Sequence, residues 1–97
     1  MICGGGAKSP LWRKMIANIL NVEVDVPVCE EGPGMGGAML AMVACGAYAS
    51  VEDAAAAIVK VDKTEKPDPE LVAKYEARYQ QFKTLYPALA DTFDKII

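Results

Sequence analysis

Apolar residues near the start of the chain recur every three to four positions, which is the period of an amphipathic helix. The segment opens at Ser9-Pro10, where serine can accept a backbone N–H and proline is preorganised for the first helical turn. It closes at Asn21, a residue suited to the left-handed conformation that ends many helices. The pattern predicts a helix between these positions, with Arg13, Lys14 and Asn18 outside an apolar stripe of Leu11, Trp12, Met15, Ile16, Ile19 and Leu20.

The next stretch changes its period from 3.6 to 2. Four valines alternate with other residues across Val22–Val28, which predicts a strand with one solvated face. Pro27 places this strand at a sheet edge or at its own end. Ile2 and Cys3 have the character of the last residues of an earlier strand. Because no hairpin signal joins the two segments, we expect a β-α-β unit.

Helices are predicted for most of the remaining chain. Residues 35–48 are rich in Ala, Gly and Met and are apolar on every side, so we expect this helix to be buried. Ser50 to Asp53 resembles a capping box, which opens a short helix that reaches about Val59. Residues 60–67, with the sequence KVDKTEKP, are predicted to be a polar connector.

The last long helix should begin at Asp68-Pro69 for the same capping reason as the first. Its aromatic stripe is predicted to be core or interface, and residues 88–97 are predicted to form a final short helix. The expected fold class is α/β: a short β-α-β unit followed by three to four helices, in a single partial domain over residues 1–97. The stripe consists of Leu71, Tyr75, Tyr79, Phe82 and Tyr86.

Composition narrows the classes of function. The 97 residues carry a net charge of −3 without a basic cluster, so neither nucleic acid nor an anionic membrane is an expected partner. Residues 32–51 are uncharged, but their Gly and Ala content favours a buried soluble helix over a membrane span. The absence of histidine removes histidine acid–base chemistry. Three widely spaced cysteines predict buried, reduced thiols and no metal site.

The motif GGGAKS, at residues 4–9, is the candidate for chemistry. It lacks the spacing of a P-loop, and it fits a dinucleotide fingerprint poorly because Ser9 stands at the third glycine position. A glycine turn before a helix can still face an anion or a planar ligand, since its N–H groups are accessible and no Cβ intrudes. A tight turn without a ligand is the alternative.

The chain resembles the C-terminal part of FGGY-family carbohydrate kinases, most closely xylulokinases. The resemblance rests on GGGAKS with Trp12, the V-x-V-P strand, Glu31 before the Ala/Gly-rich helix, and the LYPAL tail. The chain departs from the family at Gly34, Met35 and Gly37, where extra glycine should weaken the first turn of that helix. The resemblance implies a fragment of the C-terminal lobe of an actin-like, ribonuclease H-like ATPase fold.

The same resemblance implies a role for the turn. Gly5, Gly6 and Ala7 would line the adenosine side of an ATP site, with Lys8 and Ser9 beside it. The parent would be an ATP- and Mg²⁺-dependent sugar kinase, with D-xylulose the expected sugar.

No catalytic base, metal ligand or sugar-binding residue of the family has a counterpart here, so the chain alone is expected to be inactive. The alternative is a stand-alone, non-catalytic nucleotide-binding or interaction module. We expect a cytoplasmic protein, binding of ATP or ADP, and homodimerisation.

Overall fold

The structure is mixed α/β. The computed structural model of the protein describes residues 1–29 and 31–96. A short 3₁₀ turn precedes five helices and two strands, which confirms the predicted class. In chain order the elements are the turn Gly5–Lys8, α1 Pro10–Leu20, β1 Val24–Pro27, α2 Gly32–Ala44, α3 Val51–Ile58, β2 Val61–Glu65, α4 Pro69–Phe82 and α5 Leu85–Ile96.

Helix α1 begins and ends as its sequence predicts. The Ser9 hydroxyl accepts the N–H of Trp12 at 3.3 Å, and Pro10 occupies the first helical position. Asn21 adopts the left-handed conformation, with φ of 52°. These local signals need no tertiary partner, because each one satisfies or blocks backbone groups of the helix itself.

The sheet corrects two expectations. Residues 61–65, predicted to be part of a polar connector, form β2, which pairs antiparallel with β1 in the register Val24↔Glu65 and Asp25↔Thr64. The sequence did not predict β2, because its residues are mostly polar and exposed and therefore do not alternate between apolar and polar positions. No strand is assigned at residues 2–3 among the described residues, although the Ile2 N–H donates to the Asp25 carbonyl at 2.9 Å. In place of the first strand of the predicted β-α-β unit, the structure has this one backbone hydrogen bond.

Helix α1 buries the side that the sequence assigned to solvent. Arg13, Ala17 and Asn18 are buried, whereas Leu11 and Leu20 of the predicted apolar stripe are 69% and 63% exposed. Arg13 and Asn18 face inward, unlike the exposed Lys14, because β2 brings Glu65 to Arg13 and because Asn18 Oδ1 accepts the Asp68 N–H at 2.7 Å before α4. Both partners come from segments more than 45 residues away along the chain.

Helix α2 begins three residues before its predicted start and stops four residues before its predicted end. It stops because Gly46 takes a φ of 81° and donates to the Val43 carbonyl, while Ala47 donates to Met42. This pair of bonds is a Schellman motif, which closes a helix at glycine. None of the described residues of α2 is buried, so the expectation of a buried helix is wrong within this chain.

The expectation of buried thiols is also wrong. Cys3, Cys29 and Cys45 are all exposed and free of disulfides. Cys3 and Cys29 line an open cavity beside α2, and Cys45 follows the end of that helix. Cys3 and Cys29 are exposed where the start of α2 meets the start of the chain, and Cys45 is exposed at the other end of the same unburied helix.

Helices α4 and α5 follow their predicted order. Asp68 caps α4 by accepting the Glu70 N–H at 2.9 Å. Pro87 does not interrupt the last helix but lies in the first turn of α5, where its missing N–H has no helical partner to lose. Ile97, the last residue predicted for this helix, lies outside the described residues. Tyr79, Phe82 and Tyr86 are exposed, so this part of the aromatic stripe is not core.

The cap of α3 provides a test of local stability. Ser50 Oγ accepts the Asp53 N–H at 3.1 Å and donates to Asp53 Oδ2 at 2.8 Å. Ser50→Ala removes both bonds and should lower the free energy of unfolding by about 1 kcal/mol. Urea denaturation at fixed protein concentration measures this change, with Ser50→Thr as the control that keeps the hydroxyl. Equal stability of the two variants would contradict the role of the cap.

Candidate functional site

The GGGAKS segment folds as a 3₁₀ turn that leads directly into α1. Gly4 takes a φ of 91°, a conformation that favours glycine, and its carbonyl accepts the Ala7 N–H at 3.1 Å. The Gly6 carbonyl accepts the Ser9 N–H at 3.1 Å. The positive φ at Gly4 lets the chain turn from its first residues towards α1, which begins at Pro10.

The two central glycines of the turn face different surroundings. A Cβ atom at Gly6 would lie 2.9 Å from Nε1 of Trp12, so the indole packs against the backbone there. A Cβ atom at Gly5 would meet no atom of the described chain within 4 Å. Gly6 is therefore needed for packing within the chain, whereas no atom of the described chain packs against the Cβ position of Gly5.

A buried arginine of α1 donates a hydrogen bond to the backbone of the turn. Arg13 is 4% exposed, and its Nη1 donates to the Ala7 carbonyl at 2.7 Å. Its Nε donates to Oε1 of Glu65 at 3.2 Å, which joins α1 and the turn to β2. Sequence reasoning missed Arg13, because a charged residue off an apolar stripe is most often solvated. The sequence feature that could have identified Arg13 is its position three residues after Pro10, directly beyond the glycine turn.

A groove of about 260 Å³ runs beside the turn. Ala7 and Lys8 line it, and Gly5, Gly6 and Ser9 are not among its lining residues. The structure thus brings two of the five predicted site residues to the groove and leaves Gly5 on an open face. Ser9 serves as the cap of α1. The other residues of the groove are Pro10, Arg13, Val26, Pro27, Val28, Asp62 and Lys63.

Acidic side chains around the site do not form a metal centre. Glu31 occupies the position before α2, where its carboxylate lies near the helix N-terminus without a capping hydrogen bond from its side chain. Such a location favours an anionic group. Among residues 1–29 and 31–96, no group of three or more His, Cys, Asp or Glu side chains could hold a metal ion.

No helix in the described part of the chain has the length and hydropathy needed to cross a bilayer.

Comparisons with known proteins give the site a context. Residues 1–45 match the model of the FGGY family of carbohydrate kinases, C-terminal domain. The chain is 39% identical to the xylulose kinase of Staphylococcus epidermidis over 83 residues, which cover 86% of the chain and 17% of the relative. It is 41% identical to the ribulokinase of Halalkalibacterium halodurans over 90 residues, which cover 87% and 16% respectively.

The fold gives the same result. A crystal structure of ligand-bound xylulose kinase from Lactobacillus acidophilus superposes with a TM-score of 0.86 at 25% identity, over 98% of this chain and 19% of that one. The chain thus spans less than a fifth of the length of the proteins that it matches. In sequence over residues 1–45 and in fold over 98% of its length, the chain matches the C-terminal part of the FGGY family of carbohydrate kinases, which has an actin-like ATPase fold.

Proposed function

We propose that this chain forms the adenosine side of the ATP site in a longer sugar kinase, here called the parent kinase. The observation that carries the proposal is the open backbone at Gly5, in a glycine turn that leads into a helix N-terminus. A flat backbone surface without a Cβ atom suits a planar ring, and the adjoining helix terminus favours the anionic side of a nucleotide.

The turn residues then have separate roles. Gly5, Gly6 and Ala7 present backbone to adenine and ribose, and Gly6 also seats the Trp12 indole. Ser9 fixes the start of α1, and Lys8 lies beside the nucleotide at the edge of the groove. The chain binds and orients the nucleotide, and none of these groups moves a proton.

The parent kinase transfers the γ-phosphoryl group of ATP to a hydroxyl of a sugar. Phosphoryl transfer depends on in-line positioning and on charge stabilisation by Mg²⁺ and several converging groups. The described residues form no cluster suited to Mg²⁺, so the phosphates and other parts of the parent kinase hold the ion. D-xylulose is the proposed sugar, since a sequence relative and a structural neighbour are both xylulose kinases.

The remaining properties follow from this role. ATP or ADP and a sugar are the proposed small-molecule partners, and both are metabolites of the cytoplasm, which is the proposed location. A panel of xylulose, ribulose, gluconate and glycerol, assayed with the parent kinase, tests the sugar. Faster turnover of another sugar than of D-xylulose would change the substrate but not the role of this chain.

Gly5 allows a direct test of the nucleotide site. Because its Cβ position is open, Gly5→Val should disturb only a bound ligand, and we expect the KM for ATP in the parent kinase to rise about tenfold, the effect of 1.4 kcal/mol. The KM for sugar and the melting temperature should change little. Steady-state kinetics at saturating sugar measure the effect.

Two comparisons make this test specific. Ala77→Val adds a methyl-branched side chain to an exposed position of α4 and should leave both KM values unchanged. Gly6→Val forces the Trp12 indole to move, so it should lower the melting temperature as well as weaken ATP binding. An unchanged KM for ATP in a stable Gly5→Val enzyme would refute the proposed site.

A further inference from the structure

One carbonyl of the glycine turn lacks its regular partner. In the 3₁₀ pattern each N–H bonds to the carbonyl three residues earlier, as Ala7 does to Gly4 and Ser9 does to Gly6. The Ala7 carbonyl would require the N–H of residue 10, and residue 10 is proline, which has none. The proline that starts α1 so well therefore leaves a buried backbone acceptor without its donor.

Arg13 supplies that donor from the next turn of α1. Its Nη1 reaches the Ala7 oxygen at 2.7 Å, and its guanidinium is almost fully buried. The planar fork of arginine allows Nε to bind Glu65 at the same time, at 3.2 Å. Glu65 lies at the end of β2, and its side chain is 17% exposed, so the ion pair with Arg13 offsets the burial of both charges.

We propose that Arg13 is a positioning residue. It fixes the position and orientation of the glycine turn relative to α1, and Glu65 in turn fixes Arg13. The inference rests on the proposed function, because it assigns to Arg13 the conformation of the surface that adenosine contacts. In this role Arg13 acts through the backbone of the turn. It transmits the position of β2 to Ala7 and thereby orders the backbone at Gly5 and Gly6.

The experiment uses the parent kinase and three variants. Arg13→Lys keeps the positive charge, but a single ammonium on a shorter stem cannot serve both acceptors. We expect the KM for ATP to rise roughly fivefold to tenfold, in line with the loss of a charge-assisted bond to a buried acceptor, and the KM for sugar to change less than twofold. Glu65→Gln keeps an oxygen that can accept from Nε but no longer neutralises the guanidinium, so the KM for ATP should rise by at least about twofold. Lys14→Gln, which removes an exposed charge beside Arg13, is the control and should change neither KM value.

Hydrogen exchange of the free parent kinase gives a second readout that does not depend on activity. The amides of residues 4–9 should exchange faster in Arg13→Lys than in the wild type, while those of α4 keep their protection. If Arg13→Lys fails to fold, Glu65→Gln decides, and its turn amides should still show faster exchange than those of the Lys14→Gln enzyme.

The outcomes separate the two proposals. An unchanged KM for ATP and unchanged exchange in Arg13→Lys, in an enzyme where Gly5→Val weakens ATP binding, overturn the role of Arg13 and leave the nucleotide site in place. If Gly5→Val also leaves the KM for ATP unchanged, the proposed site fails, and the inference about adenosine fails with it. A KM for sugar that rises as much as the KM for ATP marks Arg13 as a general structural residue and overturns its specific role.

Discussion

The isolated 97-residue chain should phosphorylate no sugar above background, under conditions in which the parent kinase turns over freely. The expected difference is at least about a thousandfold, because holding reactants and catalytic groups in place accounts for effective molarities of about 10⁵ M or more. The described residues contribute backbone at a turn and a buried arginine, but no cluster of metal ligands. In the proposed role the chain is one wall of a nucleotide site, which cannot by itself align a phosphoryl group with a sugar hydroxyl.

ADP release in a coupled assay measures this activity. Parallel reactions contain ATP and Mg²⁺ with D-xylulose, ribulose, gluconate or glycerol, and the parent kinase at the same molar concentration is the positive control. The Gly5→Val chain, prepared in the same way, controls for a contaminating host kinase. Saturable, sugar-dependent ADP release by the unmodified chain, abolished in Gly5→Val, would contradict the expectation.

The starts and ends of helices could be predicted from sequence wherever the signal is local. Ser9, Ser50 and Asp68 each accept a backbone N–H two or three residues ahead, and Asn21 needs only its own tolerance of positive φ. These interactions involve neighbours along the chain, so residue type and spacing determine them. Gly46 carried the same kind of signal, but it was counted among the small residues of α2 rather than as that helix's terminator.

The burial of α1 could not be predicted in this way. The choice between its two sides depends on β2 and on the residues before α4, and β2 is a strand of exposed polar residues with no periodic apolar face. Without β2 there is no partner for Arg13, and a solvated arginine is the reasonable expectation. The failure to predict β2 and the failure to predict the burial of Arg13 therefore have the same cause.

The candidate site, too, could be predicted from the sequence only where its signals are local. The glycine turn and the helix after it follow from GGGAKSP, and the nucleotide role came from the resemblance to the kinases. Only the three-dimensional structure distinguishes Gly5, which faces open space, from Gly6, which faces the Trp12 indole. Because Gly6 also seats the indole, a test of ATP binding alone is made at Gly5.

The chain is more open than a compact domain of the same length. Its radius of gyration is 19.1 Å, whereas a compact domain of this length has roughly 12–13 Å. Its accessible surface is 7253 Å², against roughly 5,400 Å² for a compact protein of this mass. The excess surface lies along the helices, where Leu11, Leu40 and Phe82 are all more than half exposed. We expect the parent kinase to cover these faces.

Without the rest of the parent kinase to cover its apolar faces, the isolated chain should self-associate at micromolar concentration. An apolar groove of about 360 Å³ lies between α1 and α4, bounded by Ile19, Tyr79 and Phe82 with Tyr75 and Arg78. Exposed apolar surfaces of this kind tend to find partners, and a symmetric dimer is the commonest closed arrangement. The open edge of the sheet is the weaker candidate, because β2 carries Asp62, Lys63 and Glu65, and charged residues on an edge strand oppose pairing with another strand.

Light scattering coupled to size exclusion tests the self-association. The unmodified chain should give about twice its mass of 10.4 kDa, and Phe82→Glu should shift it towards the monomer, because it places a charge in the groove at a position that is already exposed. Val61→Glu puts the same charge on β2 and should leave the dimer intact if the groove is the contact. Dissociation by Val61→Glu alone would move the contact to the sheet edge. A monomer mass for the unmodified chain, with well-dispersed amide resonances, would show that its apolar faces are stable in water without a partner.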